Sequence, residues 1–363
     1  MIFLYSGRVT KKKNNTSQVT FRAAVLVSNN SPLVITELKY PQIGPEQLLI
    51  KIKYSGICRS QLMEVDGKRG VDNWIPHTLG HEAVGTIESM GAQVFNHQVG
   101  EKVVLSWITD KNITAPGHVY ESVDGRKINS GPISTFSEMA VIHKSRVHKV
   151  EGDFSDELLS LFGCALVTGA GMAIKYFDPS KHKRVLVLGF GGIGSAAAIA
   201  LEIFENIEIT VLDVSAERVN MAKSLGFKNS FHISSQKDVN RNEEFGYFDL
   251  CLESGGTVES IELGFSLLNG DGTLVFASHP PIDEKVQIDP HELIKGKSII
   301  GSWGGDLDAT SAVATVSKHL SKSKLPLKLL IGEHFTLARI NDALDHLRQS
   351  KSGRALVDCE IGR

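Results

Sequence analysis

The sequence predicts an α/β chain in two parts, a mostly antiparallel β domain followed by a doubly wound domain on a parallel sheet. Three observations predict it. Short strand-like runs broken by Gly and Pro fill residues 21–150. From about residue 158 onward, apolar strands alternate with helices. A glycine-rich turn, Gly189-Phe190-Gly191-Gly192-Ile193-Gly194, joins one of those strands to the helix after it. At 363 residues the chain is too long for one ordinary core and suits two domains of moderate size.

The first 20 residues read as a loose extension. A short apolar run, Met1-Ile2-Phe3-Leu4-Tyr5, precedes Lys11-Lys12-Lys13, the reverse of a signal peptide's order. Ordered structure is expected from a strand at 21–27, which meets a turn at 28–32. Further strands are expected at 33–38, 47–54, 85–88, 102–105 and 137–142. Residues 158–174 are small and apolar without strand alternation, and read as one helix. Then come strand Arg184–Leu188, helix 193–204, strand 207–212, helix 216–225, strand 248–252, helix 258–268 and strand 273–277. Strand Ser298–Gly301 closes the sheet, and residues 309–321 and 337–350 read as further helices. There is no internal repeat.

The glycine turn has the context its chemistry requires, since it follows Val185-Leu186-Val187-Leu188 and opens a helix. Gly189 permits the tight turn, Gly191 lets backbone approach a pyrophosphate, and Gly194 lets helix pack on strand. With Gly192 and Ile193 they present N–H groups and a helix N-terminus to a diphosphate. Asp213 ends the second strand, roughly 20 residues on, where an acid is expected on the adenosine ribose hydroxyls. A carboxylate there repels a ribose 2′-phosphate, so NAD is expected over NADP. Arg218 either lies along the same ribose or is a solvated helix residue.

Upstream stand Cys58, His81 in the run Gly80-His81-Glu82, and Cys164, a candidate set for a Lewis-acidic metal beside that cofactor. The four cysteines, at 58, 164, 251 and 359, are scattered, so no closed four-cysteine site can form locally. Read singly, each candidate has a plain alternative: Cys58 as a small buried hydrophobe, His81 as a surface histidine at a strand start. Cys251 and Cys359 lie in apolar runs and read as core fillers. Hydrophobic content of 42%, charged content of 22% and a net charge of −2 imply no polyelectrolyte partner and exclude a nucleic-acid role. No apolar run approaches the ~20 residues of a bilayer span. Scattered cysteines point to a reducing, cytoplasmic setting.

Several stretches together carry a resemblance. They are Gly56-Ile57-Cys58-Arg59-Ser60, Gly80-His81-Glu82, Val99-Gly100-Glu101-Lys102-Val103-Val104, Thr135-Phe136-Ser137-Glu138, Phe162-Gly163-Cys164-Ala165-Leu166-Val167-Thr168-Gly169-Ala170-Gly171, the glycine turn, and Gly353-Arg354. The sequence resembles the zinc-dependent medium-chain alcohol dehydrogenases over nearly all of residues 21–361. The resemblance implies a GroES-like catalytic domain at 21–165, an NAD-binding Rossmann domain at 166–305, and a return to the catalytic domain at 306–363. It implies Cys58, His81 and Cys164 as ligands of a catalytic zinc, with Glu82 beside the metal as an alternate or outer ligand. Ser60 matches the hydroxyl that hydrogen-bonds the substrate oxygen and relays its proton. Arg59 and Arg354 match pyrophosphate binders, Thr168 a residue near the nicotinamide, and Trp107 a substrate-pocket aromatic. The implied substrate is an alcohol, a polyol or the matching carbonyl compound, sugar-derived ones included, and the implied assembly is a homodimer or homotetramer.

Three departures from the family pattern shape further expectations. The stretch between Ser106 and Ser134, where the family carries four closely spaced cysteines for a structural zinc, has none, so one zinc per chain is expected. Gln61 stands where the family commonly has an Asp behind the histidine ligand, which leaves the metal more Lewis acidic. Met63 replaces a relay histidine, with His77 as a candidate substitute or a simple turn residue. The polar loop 110–132 reads as the seat of specificity or as an exposed lobe. Two rivals are a non-enzymatic NAD-binding scaffold or sensor and an NADPH-dependent quinone or enoyl reductase. Retention of the ligand trio disfavours both, and Asp213 also opposes the second.

Overall fold

A computed structural model of the chain describes residues 19–234, 245–349 and 351–360. Nearly all of the 1–20 extension therefore lies outside the described residues, as does Ser350 at the end of the last expected helix.

Two antiparallel-rich sheets occupy the first part. One has the spatial order Val34–Lys39, Thr20–Leu26, His77–Thr78, Lys127–Asn129, Val119–Glu121. The other runs Val147–His148, Lys102–Ser106, Glu82–Met90, Gln47–Gly56, Arg354–Asp358, Ile331–Thr336, with Met139–His143 also paired to Gln47–Gly56. Alternation drives the long strand: Ile50 and Ile52 are fully buried while Lys51 faces solvent. The last two strands come from the far end of the chain, so residues 331–358 complete a sheet begun at residue 47.

A six-stranded parallel sheet forms the second part, in the order Ser230–His232, Glu208–Asp213, Arg184–Leu188, Phe248–Glu253, Leu268–Phe276, Ser298–Gly301. Numbered along the chain this is 3-2-1-4-5-6, the doubly wound dinucleotide-binding order. Its switch point falls at the end of Arg184–Leu188, which delivers the chain into the glycine turn and helix Gly192–Glu202. One apolar cluster runs from Val84 and Val104 through Phe162 and Leu166 to Val187 and Ala197, joining the seven-stranded sheet to the parallel one. Helix Ala312–Leu320 adds Val313, Val316 and Leu320 to that cluster.

Local expectations differ from the structure in instructive places. The helix expected at 158–174 is two helices, Asp156–Leu159 and Ala165–Tyr176. The chain between them presses on its neighbours, and a Cβ on Gly163 would run into the Leu105 carbonyl. The polar stretch 110–132 is not all loop: Val119–Glu121 and Lys127–Asn129 form a hairpin extending the five-stranded sheet. Tyr120 is buried there against Phe21, edge to face at 5.6 Å, and its hydroxyl accepts from the Val141 N–H at 2.8 Å. Short strands such as these carry too few residues for a period to show.

Candidate active site

Three local structures bring the cysteines and histidine together. Strand Gln47–Gly56 leads to Cys58, which caps helix Arg59–Val65. His81 lies just ahead of strand Glu82–Met90, and Cys164 sits at the N-cap of helix Ala165–Tyr176, where the break after Gly163 places it. The sulfurs of Cys58 and Cys164 and a ring nitrogen of His81 all lie within 4.8 Å of one another. His81 Nε2 is buried and has no hydrogen-bond partner.

A hydrogen bond from Cys164 holds the Cys58 thiol well below the ordinary cysteine range. The same contact, with burial, pushes Cys164 well above it. Two sulfurs and a free imidazole nitrogen, with no fourth cysteine or histidine in the group, match the three-ligand set of an open tetrahedral zinc site. These residues fit that ion.

The surrounding shell is hydrogen-bonded. Gln61 uses its side-chain oxygen to accept the Cys58 N–H at 2.7 Å, while its amide nitrogen lies against His81 Nδ1. Glu82 is fully buried but outside the converging trio. One of its oxygens takes Arg354 Nε and Nη2 at 3.0 and 2.7 Å, and the other accepts the Ala165 N–H at 3.0 Å. Burial alone would depress the Arg354 guanidinium, yet the negative charge of Glu82 and of the neighbouring Cys58 and Cys164 sulfurs holds it above the usual arginine range. The Arg354 guanidinium reaches from Glu82 to the edge of the glycine turn, where a Cβ on Gly192 would come within 3.1 Å of Nη1.

The turn itself has the expected shape. Gly189 has φ +86°, and a Cβ on Gly194 would strike the Gly189 carbonyl, whereas the nearest atom to a Cβ on Gly191 is Arg218 Nη1 at 3.9 Å. Open space thus faces the position where a phosphate is expected. Asp213 accepts the Phe190 and Ser215 N–H groups at 2.6 and 2.7 Å, and Arg218 Nη1 lies 3.9 Å from its carboxylate. Arg59 Nη1 donates to the Gly255 carbonyl at 2.9 Å. Ser60 Oγ and Thr168 Oγ1 are buried and, like His81 Nε2, without a protein partner.

A family model described as "Alcohol dehydrogenase GroES-like domain" matches residues 44–152, and one described as "Zinc-binding dehydrogenase" matches residues 192–322. The chain belongs to the zinc-dependent medium-chain alcohol dehydrogenase family. Among relatives of this family, alcohol dehydrogenase class-P of Arabidopsis thaliana is 24% identical, covering 93% of this chain and 96% of its own. Benzyl alcohol dehydrogenase from Acinetobacter calcoaceticus superposes with a TM-score of 0.82 at 25% identity, over 94% of this chain and 99% of its own. A putative zinc-binding dehydrogenase from Sinorhizobium meliloti 1021, bound to NADP, shares the fold with a TM-score of 0.76 at 18% identity, over 94% and 100% of the two chains. This family membership makes the protein an oxidoreductase that uses a nicotinamide cofactor and a small alcohol or carbonyl substrate.

Other expected residues fall outside the trio. His77 does not face the sulfurs: its Nε2 meets Asp72 at 2.8 Å and its Nδ1 meets the Thr78 carbonyl at 3.0 Å. Trp107 packs near the site, its ring centroid 6.4 Å from that of His81. Trp303 was not anticipated. It meets Trp107 edge to face at 5.1 Å, and only the fold carries it there from beyond the last parallel strand.

Proposed function

We propose that this dehydrogenase moves a hydride between an alcohol and NAD, giving an aldehyde or ketone, at a single zinc held by Cys58, His81 and Cys164. The convergence of two sulfurs with a buried, partnerless His81 Nε2 carries the reading. Bound zinc would supply Lewis acidity to the substrate oxygen, and NAD would accept the hydride.

The chain's own residues do the rest. Gln61 holds the Cys58 backbone N–H and packs its amide nitrogen against His81 Nδ1. Ser60 Oγ, buried and free of protein partners, is available to hydrogen-bond the substrate hydroxyl and carry its proton away. Thr168 Oγ1 is equally free, and its helix packs against Gly192–Glu202, so it is suited to the nicotinamide end of the cofactor. The glycine turn with Arg59 and Arg354 would receive the diphosphate, and Asp213 with Arg218 the adenosine ribose. The Asp213 carboxylate favours NAD, because its charge opposes a 2′-phosphate. Glu82, neutralised by Arg354, serves as the wall behind the metal and not as a ligand. The reading includes a cytoplasmic homo-oligomer.

A panel of alcohols and polyols offered with NAD or NADP, followed by the absorbance of the reduced cofactor, tests it. Turnover with NAD is expected, and Cys58→Ser should abolish turnover while NAD still binds. Turnover by the variant at the wild-type rate, or a preference for NADP, would refute the assignment.

A further inference from the structure

A second convergence of ligand-type side chains lies in the first part of the chain, apart from the sulfurs. Glu64 stands near the end of helix Arg59–Val65, Asp72 in the stretch that follows, and His77 in the short strand His77–Thr78. One ligand atom from each lies within 4.8 Å of the other two. His77 is 3% exposed, and the Asp72 side chain is 8% exposed. The backbone between them is pinned to the neighbouring hairpin. Asn129 Nδ2 donates to the Trp74 carbonyl at 2.7 Å, and the Asn129 N–H donates to the Pro76 carbonyl at 2.9 Å.

The imidazole is the informative member. His77 Nδ1 meets the Thr78 carbonyl at 3.0 Å, and a carbonyl only accepts, so Nδ1 carries the proton. The lone pair of the neutral ring is then on Nε2. That nitrogen is aimed between two carboxylates, 2.8 Å from Asp72 Oδ2 and 3.8 Å from Glu64 Oε1, and ionised carboxylates have no proton to give it. A second proton on the ring would satisfy Asp72 alone. Glu64, its side chain 24% exposed, would still lack a hydrogen-bond donor among the described residues, since Arg69 Nη1 stands 3.6 Å from its other oxygen. An ion with bonds of ~2.0–2.2 Å bridges ligand atoms at such separations and satisfies all three. A buried histidine that commits one nitrogen to a backbone carbonyl and turns the other outward has the orientation of a metal ligand.

We propose that Glu64, Asp72 and His77 form a second metal site, for an exchangeable small divalent cation of the manganese or zinc type. One imidazole and two carboxylates suit such ions, whereas the thiolates of Cys58 and Cys164 select zinc and hold it more tightly. The second site therefore empties on dialysis and leaves the count of tightly held zinc at one. Its ion would tie the helix carrying Ser60 and Gln61 to the strand that leads into His81, so that occupancy stabilises this framework. The site is independent of which alcohol is oxidised.

The test takes the zinc-loaded protein after dialysis and titrates it with manganese(II), following the free ion by electron paramagnetic resonance. Manganese lies below zinc in the affinity order and does not displace it from the thiolates. One bound manganese per chain is expected, released by a further equivalent of zinc, with spin-echo modulation from a single coordinated imidazole nitrogen. Glu64→Gln should weaken manganese binding by about tenfold or more, and His77→Gln should remove the nitrogen signal. An absence of binding overturns the proposal and leaves His77 as an imidazolium on Asp72. A bound ion without the nitrogen signal, or one held equally well by Glu64→Gln, also overturns it, because the ion would then lie elsewhere. If His77→Gln does not fold, the wild-type nitrogen signal and Glu64→Gln decide the matter. Zinc content measured in parallel reports separately on Cys58, His81 and Cys164.

Discussion

Gln61 serves two donors and acceptors with one amide. Its oxygen takes the Cys58 N–H, which leaves its nitrogen to face His81 Nδ1. An imidazole that gives Nε2 to a metal carries its proton on Nδ1 and needs an acceptor there, and an amide nitrogen is not one. A carboxylate has an oxygen for each partner and adds a negative charge behind the ring. Gln61→Asp should therefore hold zinc about tenfold more tightly in competition with a chelator, and should raise the kinetic pKa of the alcohol reaction. Equal zinc retention and an unshifted pH profile would show that Gln61 has no influence on the metal. Gln61 and Met63 were legible in the sequence as departures from a pattern. The bond to Cys58 was not, because it depends on the helix Arg59–Val65 placing residue 61 back over its own N-cap. Trp303 was equally hidden, since nothing in Gly301-Ser302-Trp303-Gly304-Gly305 indicates which aromatic it will meet.

Among the elements, the break between Asp156–Leu159 and Ala165–Tyr176 decides where Cys164 points. A continuous helix would place that residue within a helical turn instead of at an N-terminus. Gly163 allows the break by letting the chain lie on the Leu105 carbonyl and on Glu82, whose Cβ would be 2.9 Å from an added methyl. Gly163→Ala should destabilise the protein by about 1–3 kcal/mol in urea unfolding and weaken zinc binding with it. A variant with wild-type stability and zinc content would show that the break does not depend on this glycine. Elements with long repeats or a local motif were readable: the strand Arg184–Leu188, the glycine turn and the alternating helices all stand close to where period and punctuation put them. Hidden elements were short, such as Val119–Glu121, or depended on partners far away in sequence, such as Arg354–Asp358 against Gln47–Gly56. A composition of small apolar residues hid the helix break, because it reads as helix whether or not the chain is interrupted.

Across the whole molecule, two sheets built from distant stretches of chain meet around one apolar cluster, and the candidate site lies along that junction. The order 3-2-1-4-5-6 puts the glycine turn at the switch point, while strands from both ends of the chain complete the sheet that carries Cys58 and Glu82. Family membership follows from the matched halves together, and the fold was legible because each half has its own signature. Metal stoichiometry is a property of this architecture. The stretch 106–134 holds no cysteine, part of it is a hairpin sealed by Tyr120, and among the described residues only the Cys58, His81 and Cys164 group offers converging sulfur ligands to an ion. Elemental analysis of the purified protein after dialysis should find one zinc per chain, and none in Cys58→Ser. Two tightly held zinc ions per chain, or zinc undiminished in Cys58→Ser, would show that the metal is held somewhere other than at these three residues.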